Sequence, residues 1–303
     1  MENLMLLSNR SFGAILLLMG FVTLSGCTTS SLHGPSEYSV IDTKRTDGVV
    51  YTPADWPQEL MGDIIRPNNN EIYPAVIMIH GGGWTRRSRS DTDSLAETVA
   101  ERGFVVFNIS YRFAPDHQFP AQIHDVQLAT KWLRDNAASY GANSKKMAAW
   151  GYSSGAHLAG MLGAISKGDD IDSPHGGDKA RIQAVVAGGI PADLRNYGDS
   201  KLVAEFVGAK LADDPQRFAD ASPITYASAD DPPFYFYNGK LDFITPIDHA
   251  TEFKAALDAA GAETDMYVHR FRAHLSMFFV GGDSVPTGIE FLKNRLGKQP
   301  RDH

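Results

Sequence analysis

Apolar residues along this chain fall into short continuous runs, separated by Gly, Pro and polar clusters, with longer helical-period stretches between them. Residues 75–80, Ala-Val-Ile-Met-Ile-His, form a β-branched run of the kind buried on both faces of a sheet. Runs at 104–109, 147–150, 182–190, 234–237 and 264–271 predict further strands. Leu60-Met61 and Ile64-Ile65 predict an earlier one, stopped by Pro67-Asn68-Asn69-Asn70. Residues 91–102 read as a helix, with Leu95, Val99 and Ala100 on one face and Gly103 at its end. A longer helix is predicted over 124–140, with Val126, Ala129, Trp132, Leu133 and Ala137 on one stripe. Residues 247–260, closed by Gly261, and 287–296 complete the helical set. Strands alternating with helices predict a mostly parallel central sheet covered on both faces. Residues 191–231 break the alternation with mixed periodicity and many charges. They are expected to form a small cap-like excursion above the C-terminal ends of the strands.

The chemistry is concentrated at Gly151-Tyr152-Ser153-Ser154-Gly155. An apolar run leads into this G-x-S-x-G and a helical run leads out, the setting of a nucleophile elbow. Flanking glycines let strand and helix approach closely around a serine on a strained turn. Earlier, His80-Gly81-Gly82-Gly83-Trp84 follows a buried strand directly. Such a loop can present bare backbone N–H groups to a developing negative charge.

Tyr111-Arg112-Phe113-Ala114-Pro115, continuing to Phe119-Pro120-Ala121, adds a third motif. With the glycine loop and the elbow it resembles the hormone-sensitive-lipase-like branch of the α/β-hydrolase esterases. The resemblance implies an α/β-hydrolase fold and a triad in the order serine, acid, histidine. Ser153, Asp242 and His274 fit that order, each beyond a predicted strand. It also implies an oxyanion hole from the N–H groups of Gly82, Gly83 and Ser154. The family pattern H-G-x-x-D-x-x-V-P reads Asn238-Gly239-Lys240-Leu241-Asp242-Phe243-Ile244-Thr245-Pro246 here. Asn238 and Thr245 therefore depart from it. His80 is expected to orient the glycine loop, and His157, His249, His269, His117 and His124 to be structural. Ser154, Asp248 and Asp265 are the weaker rivals for nucleophile and acid.

The chain has 303 residues, 43% of them hydrophobic, which is enough for one large domain. Its net charge of −8 argues against a nucleic-acid partner. No Cys or His cluster has zinc-like spacing, and no metal or organic cofactor is expected. The lone Cys27 follows an apolar run over 12–24 in the order Leu24-Ser25-Gly26-Cys27. That resembles the lipobox of bacterial lipoproteins. Residues 1–26 are thus expected to be a signal peptide and Cys27 a lipidation site. Residues 27–50 would be a tether and N-terminal segment, and 51–298 the catalytic domain. The resemblance places the protein in the cell envelope, on the periplasmic face of the outer membrane, held at the membrane surface by its acyl chains.

The expected activity is serine carboxylic ester hydrolysis on short-chain, aryl or sugar esters. A formamidase-type amide hydrolase shares H-G-G-x-W and G-x-S-x-G-A-H-L, and would use the same triad. A non-catalytic envelope lipoprotein is the third reading. Trp84, Phe113, Tyr197 and Phe243 are candidates to line an acyl or aryl pocket.

Overall fold

The structure is a computed structural model that describes residues 40–166 and 168–297. The expected signal peptide, Cys27, the Ser/Thr-rich tether and the C-terminal Arg-Asp-His lie outside the described residues. Eight strands form one sheet: β1 (Thr43–Val50), β2 (Met61–Pro67), β3 (Tyr73–Ile79), β4 (Val105–Ile109), β5 (Ala142–Tyr152), β6 (Ala184–Gly188), β7 (Phe234–Gly239) and β8 (Thr264–His269). Their order is β1-β2-β4-β3-β5-β6-β7-β8. β1 and β2 pair antiparallel, β2 is antiparallel to β4, and every later pairing is parallel. The sheet begins before the expected boundary at residue 51. β1 was not legible because its Thr-Lys-Arg-Thr-Asp-Gly-Val-Val lies at an edge and is nowhere fully buried.

The helices are α1 (Asp93–Ala100), α2 (Ala121–Asp135), α3 (Ser154–Ala164), α4 (Lys201–Val207), α5 (Pro215–Asp220), α6 (Ile247–Ala260), α7 (His274–Phe279) and α8 (Ser284–Leu296). They cover both faces of the sheet. Ala75, Ile77 and Ile79 of β3 join a core with α2, α3 and α6, through residues such as Val126, Leu158 and Phe253. Val76 and Met78 point the other way, into a core with Val99 of α1 and Leu292 of α8. This period-two division of a continuous apolar run is what a strand buried on both faces requires.

Two helices differ from expectation. The stripe read over 124–140 ends at Asp135, and 137–140 tighten into a 3-10 turn closed by left-handed Gly141. Residues 274–279, to which the sequence pattern assigned no element, form α7. The segment 191–231 carries α4, α5 and three-residue-period turns, and part of it is core. Phe206 and Phe218 are fully buried.

Candidate active site

The parallel strands bring residues far apart in sequence to one edge. Register pairs Tyr152 with Gly188, Gly188 with Tyr237, and Gly239 with His269. Ser153, Asp242 and His274 therefore follow the C-terminal ends of β5, β7 and β8. Ser153 is the junction between β5 and α3, with φ 56° and ψ −126°, a left-handed conformation that side chains other than glycine rarely adopt. A Cβ on Gly151 would overlap the Gly155 carbonyl, and one on Gly155 would overlap the Ile79 carbonyl. The two glycines are thus explained by close approach of backbone to backbone. α3 starts at Ser154, so the N–H groups of its first turn have no intrahelical acceptor and its positive dipole end lies beside Ser153.

The glycine loop packs against this elbow. A Cβ on Gly81 would sit 2.9 Å from the Tyr152 carbonyl and 3.3 Å from the Ser153 Cβ. Gly82 and Gly83 both have positive φ, as do Trp84 and Arg87, so four non-extended residues in close succession turn the loop over the serine. His80 is buried, with Nδ1 2.7 Å from the Gly81 carbonyl and its ring stacked on Tyr111 at 4.5 Å. Burial pushes its imidazole down to about 4, so it is neutral at pH 7 and donates to that carbonyl.

His274 and Asp242 are both buried. His274 Nδ1 lies 2.7 Å from Asp242 Oδ2. The other carboxylate oxygen, Oδ1, accepts from the backbone N–H groups of Ile244 (2.9 Å) and Thr245 (2.8 Å). That leaves Oδ2 to the imidazole and sets the tautomer, with the proton on Nδ1 and the lone pair on Nε2. Tyr152 donates its hydroxyl to the His274 carbonyl at 2.6 Å and so ties the elbow to the first residue of α7. A Cβ on Gly239 would overlap the Arg272 carbonyl, which explains how the Asp242 loop reaches the His274 loop.

The other histidines are occupied elsewhere. His157 accepts from Trp84 Nε1 at 3.2 Å and donates through Nε2 to the Ala221 carbonyl at 2.6 Å. It is fully buried, and desolvation pushes it down to about 4. His249 stacks on Tyr197, and His269 Nδ1 accepts from the Phe271 N–H.

Sequence reasoning missed one member of this constellation. Thr245 Oγ1 lies 2.7 Å from His274 Nδ1 and 3.4 Å from Asp242 Oδ2. Its oxygen can share the imidazole proton while its O–H turns to the carboxylate. Asn238 donates to the Thr245 carbonyl at 3.3 Å. The two departures from the family pattern therefore meet in one loop, and their joint appearance in the sequence was the available signal.

A cavity of about 210 Å³ opens here, reached by Ser153, His274 and the three glycines. Its apolar lining is Leu202, Ile244, Leu275, Phe278 and Phe279, and Arg86, Arg87 and Asp91 add charged groups to it. None of the four aromatics expected to line a pocket does so. Trp84 is buried against Phe206 and His157, Phe113 packs edge-on to His80, and Tyr197 stacks on His249. Phe243 is 81% exposed. Among the described residues, no group of three or more His, Cys, Asp or Glu is placed to hold a metal ion.

Comparison with known proteins agrees with this architecture. The BD-FAE family model matches residues 62–257, more than half of the chain, spanning Ser153 and Asp242 and ending before His274. Esterase LipQ of Mycobacterium tuberculosis is 33% identical over 210 residues, 66% of this chain and 49% of LipQ. The chain spans about half the length of the curated relatives it matches first. Among solved structures, a bifunctional GH43-CE protein of Bacteroides eggerthii aligns with TM-score 0.76 at 27% identity, over 84% of this chain and 35% of that one. A truncated carbohydrate esterase from gut microbiota aligns with TM-score 0.74 at 24% identity, over 87% and 99%. The chain has the α/β-hydrolase fold and belongs to the BD-FAE family.

Proposed function

We propose that the protein is a serine carboxylic ester hydrolase working through an acyl-enzyme. The observation that carries this is the pair Asp242–His274, held in a fixed tautomer at the wall of the cavity that Ser153 also reaches. Ser153 Oγ attacks the acyl carbon, and His274 Nε2 takes its proton and returns it to the leaving alkoxide. Asp242 holds the imidazole and stabilises the imidazolium. The N–H groups of Gly82, Gly83 and Ser154 receive the oxyanion. Water then enters, is deprotonated by His274, and releases the acid. No step needs a metal or an organic cofactor.

The substrate is read as a short-chain, aryl or sugar ester. A cavity of about 210 Å³ suits a small acyl group rather than a long chain. LipQ is named as an esterase, which favours ester over amide. The test is hydrolysis of p-nitrophenyl esters of increasing acyl length beside an aryl formamide. Fastest turnover of acetate or butyrate is expected. Turnover of the formamide alone would overturn the ester reading.

The hormone-sensitive-lipase-like placement within the esterases and the lipidation of Cys27 belong to the same proposal. Their support is the Tyr111 to Ala121 motif and the Leu24-Ser25-Gly26-Cys27 order. The anchored protein would sit in a bacterial envelope, at the periplasmic face of the outer membrane. Cys27→Ala is expected to abolish labelling by a fatty-acid probe; labelling that persists would overturn this.

A further inference from the structure

An apolar collar surrounds the mouth of the cavity. The large apolar side chains exposed on the described residues crowd into 241–280, with Phe243 at 81%, Phe271 at 75% and Phe279 at 70%. They are carried by the loop 240–246, the loop 270–273 and α7. Two backbone hydrogen bonds join the loops, Lys240 N–H to the His269 carbonyl at 2.9 Å and Leu241 N–H to the Arg272 carbonyl at 3.0 Å. The side chains therefore share one rim. Ile244, Leu275 and Phe279 reach the cavity wall. Leu241, Phe243, Phe271 and Val280 do not, and they carry the apolar surface outward beyond what a small ester can touch. Single exposed apolar residues are ordinary, but a contiguous patch marks an interaction surface.

The charges select the occupant. Lys240, Arg270 and Arg272 are interleaved with the apolar residues, and Arg270 lies over the Phe271 ring at 5.8 Å. Arg86 and Arg87 line the same cavity. Among the acids nearby, Asp242 is buried against His274, Asp91 pairs with Arg87 at 3.5 Å, and the exposed Asp248 and Asp283 lie beyond the loop 240–246 and beyond α7. A chain of net charge −8 thus gathers cations and exposed aromatics at one place. Arginine and lysine interleaved with Phe and Leu suit an interface with anionic headgroups above and acyl chains below.

We propose that this collar docks the mouth of the site onto an anionic lipid surface. The docking concerns neither turnover nor lipidation, and its test uses neither.

The test takes the chain from Thr28 onward, since the whole sheet, both cores and the site lie C-terminal to it. With Ser153→Ala in place, it is sedimented with vesicles of phosphatidylcholine alone or mixed with phosphatidylglycerol. Binding to the mixed vesicles is expected, weaker with phosphatidylcholine alone and weaker at high salt. Phe271→Ser with Val280→Ser should lower the bound fraction at least about fivefold. The same double variant with Ser153 intact should keep wild-type turnover of a soluble p-nitrophenyl ester, which shows that it folds. If no ester is turned over, unchanged thermal unfolding shows the same, and the vesicle result stands by itself. No binding to either vesicle, or equal binding by the variant, would overturn the proposal. So would a concentration-dependent dimer that the variant abolishes, because a second copy would then cover the collar.

Discussion

At the scale of the residue, Thr245 shows how a deviation from a pattern becomes part of a site. Its hydroxyl touches both members of the Asp242–His274 pair, and Asn238 holds its carbonyl. Thr245→Val keeps the shape and removes the hydroxyl. One neutral hydrogen bond of about 1 kcal/mol corresponds to roughly a fivefold fall in kcat/KM. Thr245→Ser, which keeps the hydroxyl, should restore it. Equal kcat/KM in all three proteins would leave Thr245 a packing residue. Ser153 and Asp242 could be proposed from motif and spacing. Thr245 was visible only as a misfit, since no local pattern says which hydroxyl will meet a histidine 29 residues away.

At the scale of the element, the glycines separate those required by contact from those required by backbone conformation. Gly155 has the Ile79 carbonyl where a side chain would begin, whereas Gly261 has open space and φ 98° at the end of α6. Gly155→Ala should cost about 3 kcal/mol or more, because two backbones must move apart. Gly261→Ala should cost only about 1 kcal/mol. Denaturant midpoints of the two variants test this, and equal losses would contradict the packing of β3 against α3. The buried strands were read from sequence because their apolar runs are continuous. β1 and α7 were not, for opposite reasons. β1 lies at an edge and carries Lys44, Arg45 and Asp47, and α7 is six residues long with Leu275 and Phe279 largely exposed, so neither offers the periodicity of a buried face.

At the scale of the whole molecule, the neutral buried histidines link stability to pH. His80 and His157 have folded-state values near 4 against an ordinary 6.5, with desolvation as the main cause. The unfolded chain binds protons that the folded one refuses. Their contribution is therefore complete above about pH 6.5 and drains as pH falls toward 4, by up to about 3 kcal/mol for each histidine. Thermal unfolding should show a falling midpoint from pH 7 to pH 4.5, and a flat midpoint would mean that these sites accept protons while folded. The global topology was legible from the strand and helix alternation together with three motifs. The cavity wall was not, because Leu202, Ile244 and Phe279 come from three separate segments whose meeting depends on how the cap and α7 settle.

The most direct test of the central claim is covalent trapping of the nucleophile. The protein is treated with an organophosphate ester such as paraoxon, digested, and mapped by mass spectrometry. The account predicts one phosphorylated peptide containing Ser153, with ester hydrolysis lost in proportion, and no adduct in Ser153→Ala. An adduct on another residue, or full activity after stoichiometric labelling of Ser153, would contradict it.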